Sequence, residues 1–132
     1  MIYTLASEDD TKRIAAQFAS DAKIGDCFAL YGDLGVGKST FARFFIQSLL
    51  GANTEVPSPT FTIMQQYDKS ILHVDCYRLN TVDEAIEIGL FELLSSSISL
   101  IEWPGILEPM LPFNATQLYF SHNNEYRTLS ID

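Results

Sequence analysis

One stretch of eight residues limits the folds open to this chain more than any other, and it reads Gly32-Asp33-Leu34-Gly35-Val36-Gly37-Lys38-Ser39. It fits the phosphate-loop pattern G-x-x-x-x-G-K-[ST] without a gap. An apolar run at 27–31 precedes it and a helical pattern at 38–50 follows it, which is the context that the motif requires. The stretch therefore predicts a nucleoside triphosphate site between a buried strand and the N-terminus of a helix.

The chemistry of such a loop assigns roles to its last two residues. Lys38 is expected to reach the β- and γ-phosphates, and the Ser39 hydroxyl is expected to ligate Mg²⁺. The sequence contains neither the guanine-reading segment N-K-x-D nor a D-x-x-G switch, so ATP is the predicted nucleotide. The adenine contacts stay unassigned at this stage, with the segment 7–11 as a candidate.

Two acidic residues follow apolar runs that read as strands. Asp75 comes after 71–74, and Glu102 comes after 98–101. Open α/β sheets bind ligands at the carboxyl ends of their strands, where an acidic residue can hold Mg²⁺ or align the attacking water. We therefore treat both as candidate catalytic residues, together with Thr60 as a sensor of the γ-phosphate. His73 is interpreted as a strand histidine rather than a catalytic base.

The periodicity of the whole chain indicates alternating strands and helices. Strands are predicted at 1–6, 27–31, 61–67, 71–76, 98–101, 117–121 and 126–131, and helices from Ser7 and at 38–50 and 82–94. This order predicts an α/β, P-loop NTPase-like three-layer sandwich, whose mixed sheet is parallel at its centre and antiparallel at its margins. Residues 1–132 are expected to form one domain.

The charge of the chain argues against a large nucleic-acid interface. Seventeen Asp and Glu face eight Lys and Arg, a formal net charge of −9, and most of such a surface would repel a phosphate backbone. No apolar stretch approaches the roughly 20 residues that cross a bilayer, and no signal peptide is visible. Cys27 and Cys76 are predicted to be buried free thiols. We expect a cytoplasmic protein with no membrane association.

Four segments together resemble the motifs of the bacterial TsaE (YjeE) ATPases. The phosphate loop, extended to Thr40, is similar to the first motif of that family. The other three are Ser58-Pro59-Thr60-Phe61, His73-Val74-Asp75-Cys76-Tyr77-Arg78-Leu79 and Ile101-Glu102-Trp103-Pro104. Each of these three is weak alone, but the four in this order are specific. Cys76 departs from the pattern, because the family usually has an aliphatic residue there.

The resemblance implies a role in forming the threonylcarbamoyladenosine modification of tRNA. In that family the ATPase docks onto a TsaB–TsaD heterodimer, so TsaD and TsaB are the implied partners and tRNA is met only through the complex. By analogy Ser39 and Glu102 would ligate Mg²⁺, and Asp75 would position water or couple hydrolysis to the partner. The implied phosphate contacts are Asp33, Leu34, Gly35, Val36, Gly37, Lys38, Ser39 and Thr40.

Two other functions remain open from the sequence. A small-molecule kinase would also place a phosphate loop over ATP, although kinases usually close an arginine-bearing lid over the phosphates and the four arginines here are scattered. A nucleotide-sensing module would dock onto a partner in response to ATP without useful hydrolysis. Phosphate transfer to a metabolite would favour the kinase, and docking that survives the loss of Asp75 and Glu102 would favour the sensor.

Overall fold

The computed structural model describes residues 1–33, 35–57 and 63–132, so the predicted roles of Leu34 and Thr60 lie outside the described residues. Within these ranges the strands form one seven-stranded sheet. They are β1 (Ile2–Leu5), β2 (Cys27–Tyr31), β3 (Met64–Tyr67), β4 (Ile71–Asp75), β5 (Ile98–Glu102), β6 (Thr116–His122) and β7 (Arg127–Ile131). The helices are α1 (Glu8–Asp21), α2 (Lys38–Leu50), α3 (Val82–Glu87), α4 (Leu90–Leu94) and a 3₁₀ helix (Pro104–Met110).

The strand order β1-β7-β6-β2-β5-β4-β3 confirms the predicted mixed sheet. The four central strands, β6, β2, β5 and β4, run parallel to one another. Antiparallel pairs flank them, with β7 and β1 at one margin and β3 at the other. The carboxyl ends of the parallel strands therefore meet at one edge of the sheet, where the phosphate loop leaves β2.

Side chains that alternate along the strands bury two separate apolar clusters, one on each face of the sheet. On β2, Phe28 and Leu30 join the cluster that also contains α1 and α2, whereas Cys27 joins the cluster of α3, α4 and the 3₁₀ helix. These two clusters make the predicted three layers. Both Cys27 and Cys76 are buried free thiols, as predicted. None of the helices in the described ranges has the length and apolar character to cross a membrane.

Edge-to-face aromatic contacts fix helix α2 against the sheet. The Phe28 and Phe45 rings have centroids 5.3 Å apart, and the Phe41 and Phe120 rings have centroids 5.5 Å apart. Phe41 and Phe45 are completely buried. Such pairs add to the free energy gained by burying the rings themselves. Because Lys38 is the first residue of α2, this packing also sets the position of the lysine.

Some predicted boundaries are wrong. The predicted helix at 82–94 is two short helices, because Gly89 adopts the left-handed region (φ +79°) between them. Of the strand predicted at 61–67, residues 61–62 lie outside the described residues; Ile63 has a positive φ of +66°, and the regular strand β3 begins at Met64. The 3₁₀ helix was not predicted, because two prolines in seven residues give it no clear helical period.

Candidate functional site

The phosphate loop joins the end of β2 to the start of α2, and glycine is required at two of its positions. A Cβ atom on Gly32 would lie 2.6 Å from the Phe120 carbonyl oxygen and 2.8 Å from Val36 Cγ2, closer than side chains tolerate. Gly37 caps α2 in the left-handed region, with φ +110°. A side chain would strain both turns. The close approach to β6 fixes the point where the loop leaves β2, and the cap fixes the point where it enters α2.

Lys38 is almost fully buried, with only 4% of its surface exposed. Its ammonium donates a hydrogen bond to the Gly32 carbonyl oxygen and lies 3.4 Å from the centroid of the Trp103 ring, a cation–π contact. Burial lowers the pKa of Lys38 below its usual value, although the carboxylates of Glu102, Asp75 and Asp33 oppose this shift. The lysine is thus held inside the loop by contacts that a bound phosphate would compete with.

Glu102 ends β5 directly beside β2, where its Cα pairs with that of Leu30. One carboxylate oxygen accepts a hydrogen bond of 2.8 Å from the Ser39 hydroxyl, and the other lies 2.6 Å from His73 Nε2. Glu102 is 2% exposed, whereas Ser39 is exposed to solvent. The structure therefore brings together the two oxygen ligands that the sequence predicts for Mg²⁺, at the open end of the loop.

Asp75 occupies the matching position on β4, with its Cα paired to that of Glu102. One of its carboxylate oxygens accepts a 2.9 Å hydrogen bond from the Tyr77 backbone N–H. The residue is 5% exposed. Both predicted acidic residues therefore lie at the carboxyl edge of adjacent strands, but only Glu102 is hydrogen-bonded to Ser39. The difference suits separate roles for the two carboxylates.

His73 lies in a strand, as interpreted from the sequence, but its contact with Glu102 was not predicted. His73 lies in β4, is 1% exposed and contacts Glu102 through Nε2, while Nδ1 has no hydrogen-bond partner in the described part of the chain. The spacing of His73 and Asp75 indicates where His73 points, because side chains two residues apart on a strand lie on the same face of the sheet. His73 therefore shares the face of Asp75, toward α2.

Two cavities of about 400 Å³ each flank the phosphate loop. One lies beside β5 and is lined partly by Asp33, Tyr77 and Trp103. The Tyr77 and Trp103 rings are in contact there, with centroids 4.9 Å apart. The other lies on the side of β7 and is lined by Gly35, the end of β1, the start of α1 and the β6–β7 turn. It includes Ser7, Glu8 and Thr11 of the segment named above as a candidate for adenine contacts.

The site's donors fit one class of metal ion. A serine hydroxyl and a carboxylate are hard oxygen ligands, which Mg²⁺ prefers, and Mg²⁺ usually takes its other ligands from water and substrate phosphates. No cluster of three or more His, Cys, Asp or Glu side chains suited to a metal occurs among residues 1–33, 35–57 and 63–132. A site that uses only Ser39 and Glu102 therefore needs a phosphate ligand to complete it.

Comparison with known proteins places these features in a family. A sequence model described as "Threonylcarbamoyl adenosine biosynthesis protein TsaE" matches residues 5–129. The tRNA threonylcarbamoyladenosine biosynthesis protein TsaE of Rickettsia bellii is 44% identical over 111 residues, covering 82% of this chain and 77% of the relative. The protein of the same name in Bacillus subtilis is 40% identical over 114 residues, covering 83% and 70%.

A solved structure agrees with the sequence comparisons. The crystal structure of YdiB from Bacillus subtilis superposes with a TM-score of 0.78 at 29% sequence identity. The match covers 99% of this chain and 83% of that one. The likeness thus extends over the whole described sheet, including the edge that carries the phosphate loop.

Proposed function

This chain belongs to the TsaE family of threonylcarbamoyl adenosine biosynthesis proteins, and from that membership we propose that it is a magnesium-dependent ATPase. It would bind and hydrolyse ATP in support of the N6-threonylcarbamoyladenosine modification of tRNA. It would act in the cytoplasm by docking onto a TsaB–TsaD pair, with tRNA held by the pair. The net charge of −9 supports this indirect contact with RNA.

The observation that carries the proposal is the hydrogen bond between Ser39 and Glu102. It spans 63 residues of sequence, yet the two oxygens lie 2.8 Å apart at the mouth of a phosphate loop. Mg²⁺ bound there would neutralise charge that develops on the transferring phosphoryl group. Ser39 and Glu102 would hold the ion, and the backbone N–H groups of the loop would hold the phosphates.

Lys38 and Asp75 complete the proposed chemistry. Binding of the γ-phosphate would draw the Lys38 ammonium from the Gly32 carbonyl and the Trp103 ring to the phosphate oxygens. Asp75 lies one strand beyond Glu102 at the same edge. It would accept a hydrogen bond from the attacking water and orient it toward the phosphorus, which is the usual task of an acidic residue in this position.

The experiment that tests the proposal measures phosphate release from MgATP, by the chain alone and then with purified TsaB–TsaD. Release that rises with the pair and disappears in Lys38→Ala would support a partner-coupled ATPase. Lys23→Ala serves as the control, because it removes the same charge from an exposed position outside the loop. Unchanged release in Lys38→Ala would refute the assignment of the site.

The cavity beside Trp103 favours one alternative, a small-molecule kinase. Its volume of about 400 Å³ next to Gly32 and Asp33 is enough for a small acceptor. Strong ATP binding without a response to TsaB–TsaD would direct attention to this cavity. In that case phosphorylated metabolites, rather than free phosphate, should accumulate when the chain is incubated with ATP and candidate acceptors.

A further inference from the structure

Arg127 begins β7 at the edge of the sheet where the phosphate loop lies. Its Cα is paired with that of His122 at the end of β6 and with that of Leu5 at the end of β1. Its guanidinium extends to the loop, since a Cβ atom built on Gly37 would lie 3.3 Å from Arg127 Nη1 and 3.9 Å from its Cζ. A side chain that starts two strands from β2 therefore ends beside the residue that precedes Lys38.

The turn before Arg127 is fixed by hydrogen bonds. The Asn123 side-chain oxygen accepts from the backbone N–H groups of Glu125 and Tyr126, each at 2.9 Å. The Asn123 N–H in turn donates to the Tyr126 carbonyl oxygen at 3.0 Å. An Asx-type turn of this kind holds the backbone in one conformation. The start of the arginine side chain is thereby placed firmly relative to the loop.

Arg127 carries a positive charge for which the described part of the chain offers no carboxylate partner. The ion pairs of those residues are Arg13–Asp10, Arg43–Glu8 and His73–Glu102. Arg127 is partly buried, and its guanidinium is always charged. Charged groups withdrawn from water are normally paired, and a guanidinium fork matches the geometry of a phosphate. Its placement beside the loop therefore fits an anionic ligand.

The side of the phosphate loop on which Arg127 lies indicates which phosphate of ATP it would contact. β5, with Glu102, lies on one side of β2, whereas β6 and β7 lie on the other. Ser39 and Glu102 would hold Mg²⁺, which would stabilise negative charge at the outer phosphates of ATP. The cavity on the β7 side contains both Gly35 and Arg127. The phosphate nearest the sugar is the one that would lie toward this cavity.

We infer that Arg127 binds the sugar-proximal phosphate of ATP and ADP, an inference that rests on the proposed function. The contact comes from the final hairpin, so β6 and β7 form a wall of the nucleotide site as well as a margin of the sheet. In the sequence Arg127 is one of four scattered arginines and carries no predicted role. Only the pairing of β7 with β1 and β6 brings it to the loop.

The test compares the dissociation constants of MgATP and MgADP, measured by calorimetry, for the wild-type chain and for Arg127→Gln. Affinity is expected to fall by about ten- to a hundredfold, as for the loss of a charge-assisted hydrogen bond. The fall should be equal for the two nucleotides, because both carry the sugar-proximal phosphate. Arg13→Gln makes the same charge change at an exposed ion pair on α1 and should leave both constants within about twofold.

Four outcomes would overturn the inference. Constants that stay within twofold in Arg127→Gln exclude the contact, and a loss confined to MgATP moves it to the outermost phosphate. A wild-type chain that binds neither nucleotide refutes the proposed function itself, because there is then no nucleotide binding for Lys38→Ala to remove. If Arg127→Gln does not fold, the Arg127 Nε–H resonance of the ¹⁵N-labelled wild-type chain decides. It should shift on adding ADP but not adenosine, and no shift with ADP would refute the contact.

Discussion

Replacing Glu102 by glutamine removes one negative charge from the centre of the site and changes its shape very little. The amide oxygen of Gln can still accept the 2.8 Å hydrogen bond from Ser39. Its NH₂ group then faces His73 Nε2, 2.6 Å from the present carboxylate oxygen, so His73 must carry its proton on Nδ1. Nδ1 has no partner among the described residues. Nδ1 is already without a partner among these residues in the wild type, so the main change is from a charge-assisted to a neutral hydrogen bond at Nε2, and the expected loss in unfolding free energy is about 1 kcal/mol.

The rate of ATP hydrolysis by Glu102→Gln should fall by more than the loss of folding stability alone would cause. A neutral amide is a poor ligand for Mg²⁺, because hard cations favour charged carboxylate oxygens. We expect phosphate release at least about tenfold below wild type, equivalent to ~1.4 kcal/mol of transition-state stabilisation. The affinity for ATP without Mg²⁺ should be retained or improved, since a negative charge near the phosphates is removed. Phosphate release and calorimetry, each with and without Mg²⁺, measure these effects.

Glu108→Gln is the matched control for this variant. Glu108 accepts a hydrogen bond of 2.6 Å from the Tyr31 hydroxyl and is an exposed residue of the 3₁₀ helix. It should hydrolyse ATP like the wild type. If Glu102→Gln kept both its rate and its dependence on Mg²⁺, Glu102 would be neither a metal ligand nor a catalytic residue. A rate that fell equally in both variants would point to a general effect of charge instead.

Three further predictions follow from buried groups. Lys38→Met should abolish ATP binding in calorimetry, and with it any response of Trp103 fluorescence to MgATP, and a retained response would show that the nucleotide still binds. The variant should nevertheless match or exceed the wild type in urea unfolding, because burial lowers the pKa of Lys38 and so disfavours its charge. Burial raises the pKa of Cys27 and of Cys76 to about 12 from 9.0, so above pH 9 the unfolded state binds fewer protons than the folded state. The unfolding free energy should therefore fall by about 1.4 kcal/mol for each thiol at pH 10, and the variant with both cysteines replaced by alanine should show a flatter dependence on pH. Phe45→Ala should lower the unfolding free energy by about 3–5 kcal/mol by opening a cavity, and a loss below 1 kcal/mol in urea unfolding would contradict the packing of α2.

Much of the fold is predictable because local patterns and the phosphate loop agree. The apolar run at 27–31 and the helical stripe at 38–50 coincide with β2 and α2. The strands at 71–76 and 98–101 are each within one residue of β4 and β5. These strands bury nearly all of their residues and α2 buries one face, so the hydrophobic pattern follows their geometry directly. The segment 104–110 is different, because a 3₁₀ helix with prolines has no such period.

The site was harder to predict than the fold, because its contacts cross between strands. Sequence reasoning places Ser39, Glu102 and Asp75 at the right edge, since each stands at the end of a predicted element. It does not supply the hydrogen bond from His73 to Glu102, which depends on the register of β4 against β5. The position of Arg127 beside the loop could not be predicted from the sequence either, because that residue reaches the loop only through the strand order β7-β6-β2.

Lys38 and Glu102 already have partners within the described site, and this bears on how ATP would bind. Lys38 is held by the Gly32 carbonyl and the Trp103 ring, and Glu102 is held by Ser39 and His73. A nucleotide with Mg²⁺ would exchange these contacts for new ones, so its affinity would equal the difference between two sets of interactions. Any partner that drew Trp103 away from Lys38 would weaken the first set and strengthen ATP binding. Reciprocity requires that ATP then strengthen the binding of that partner by the same factor.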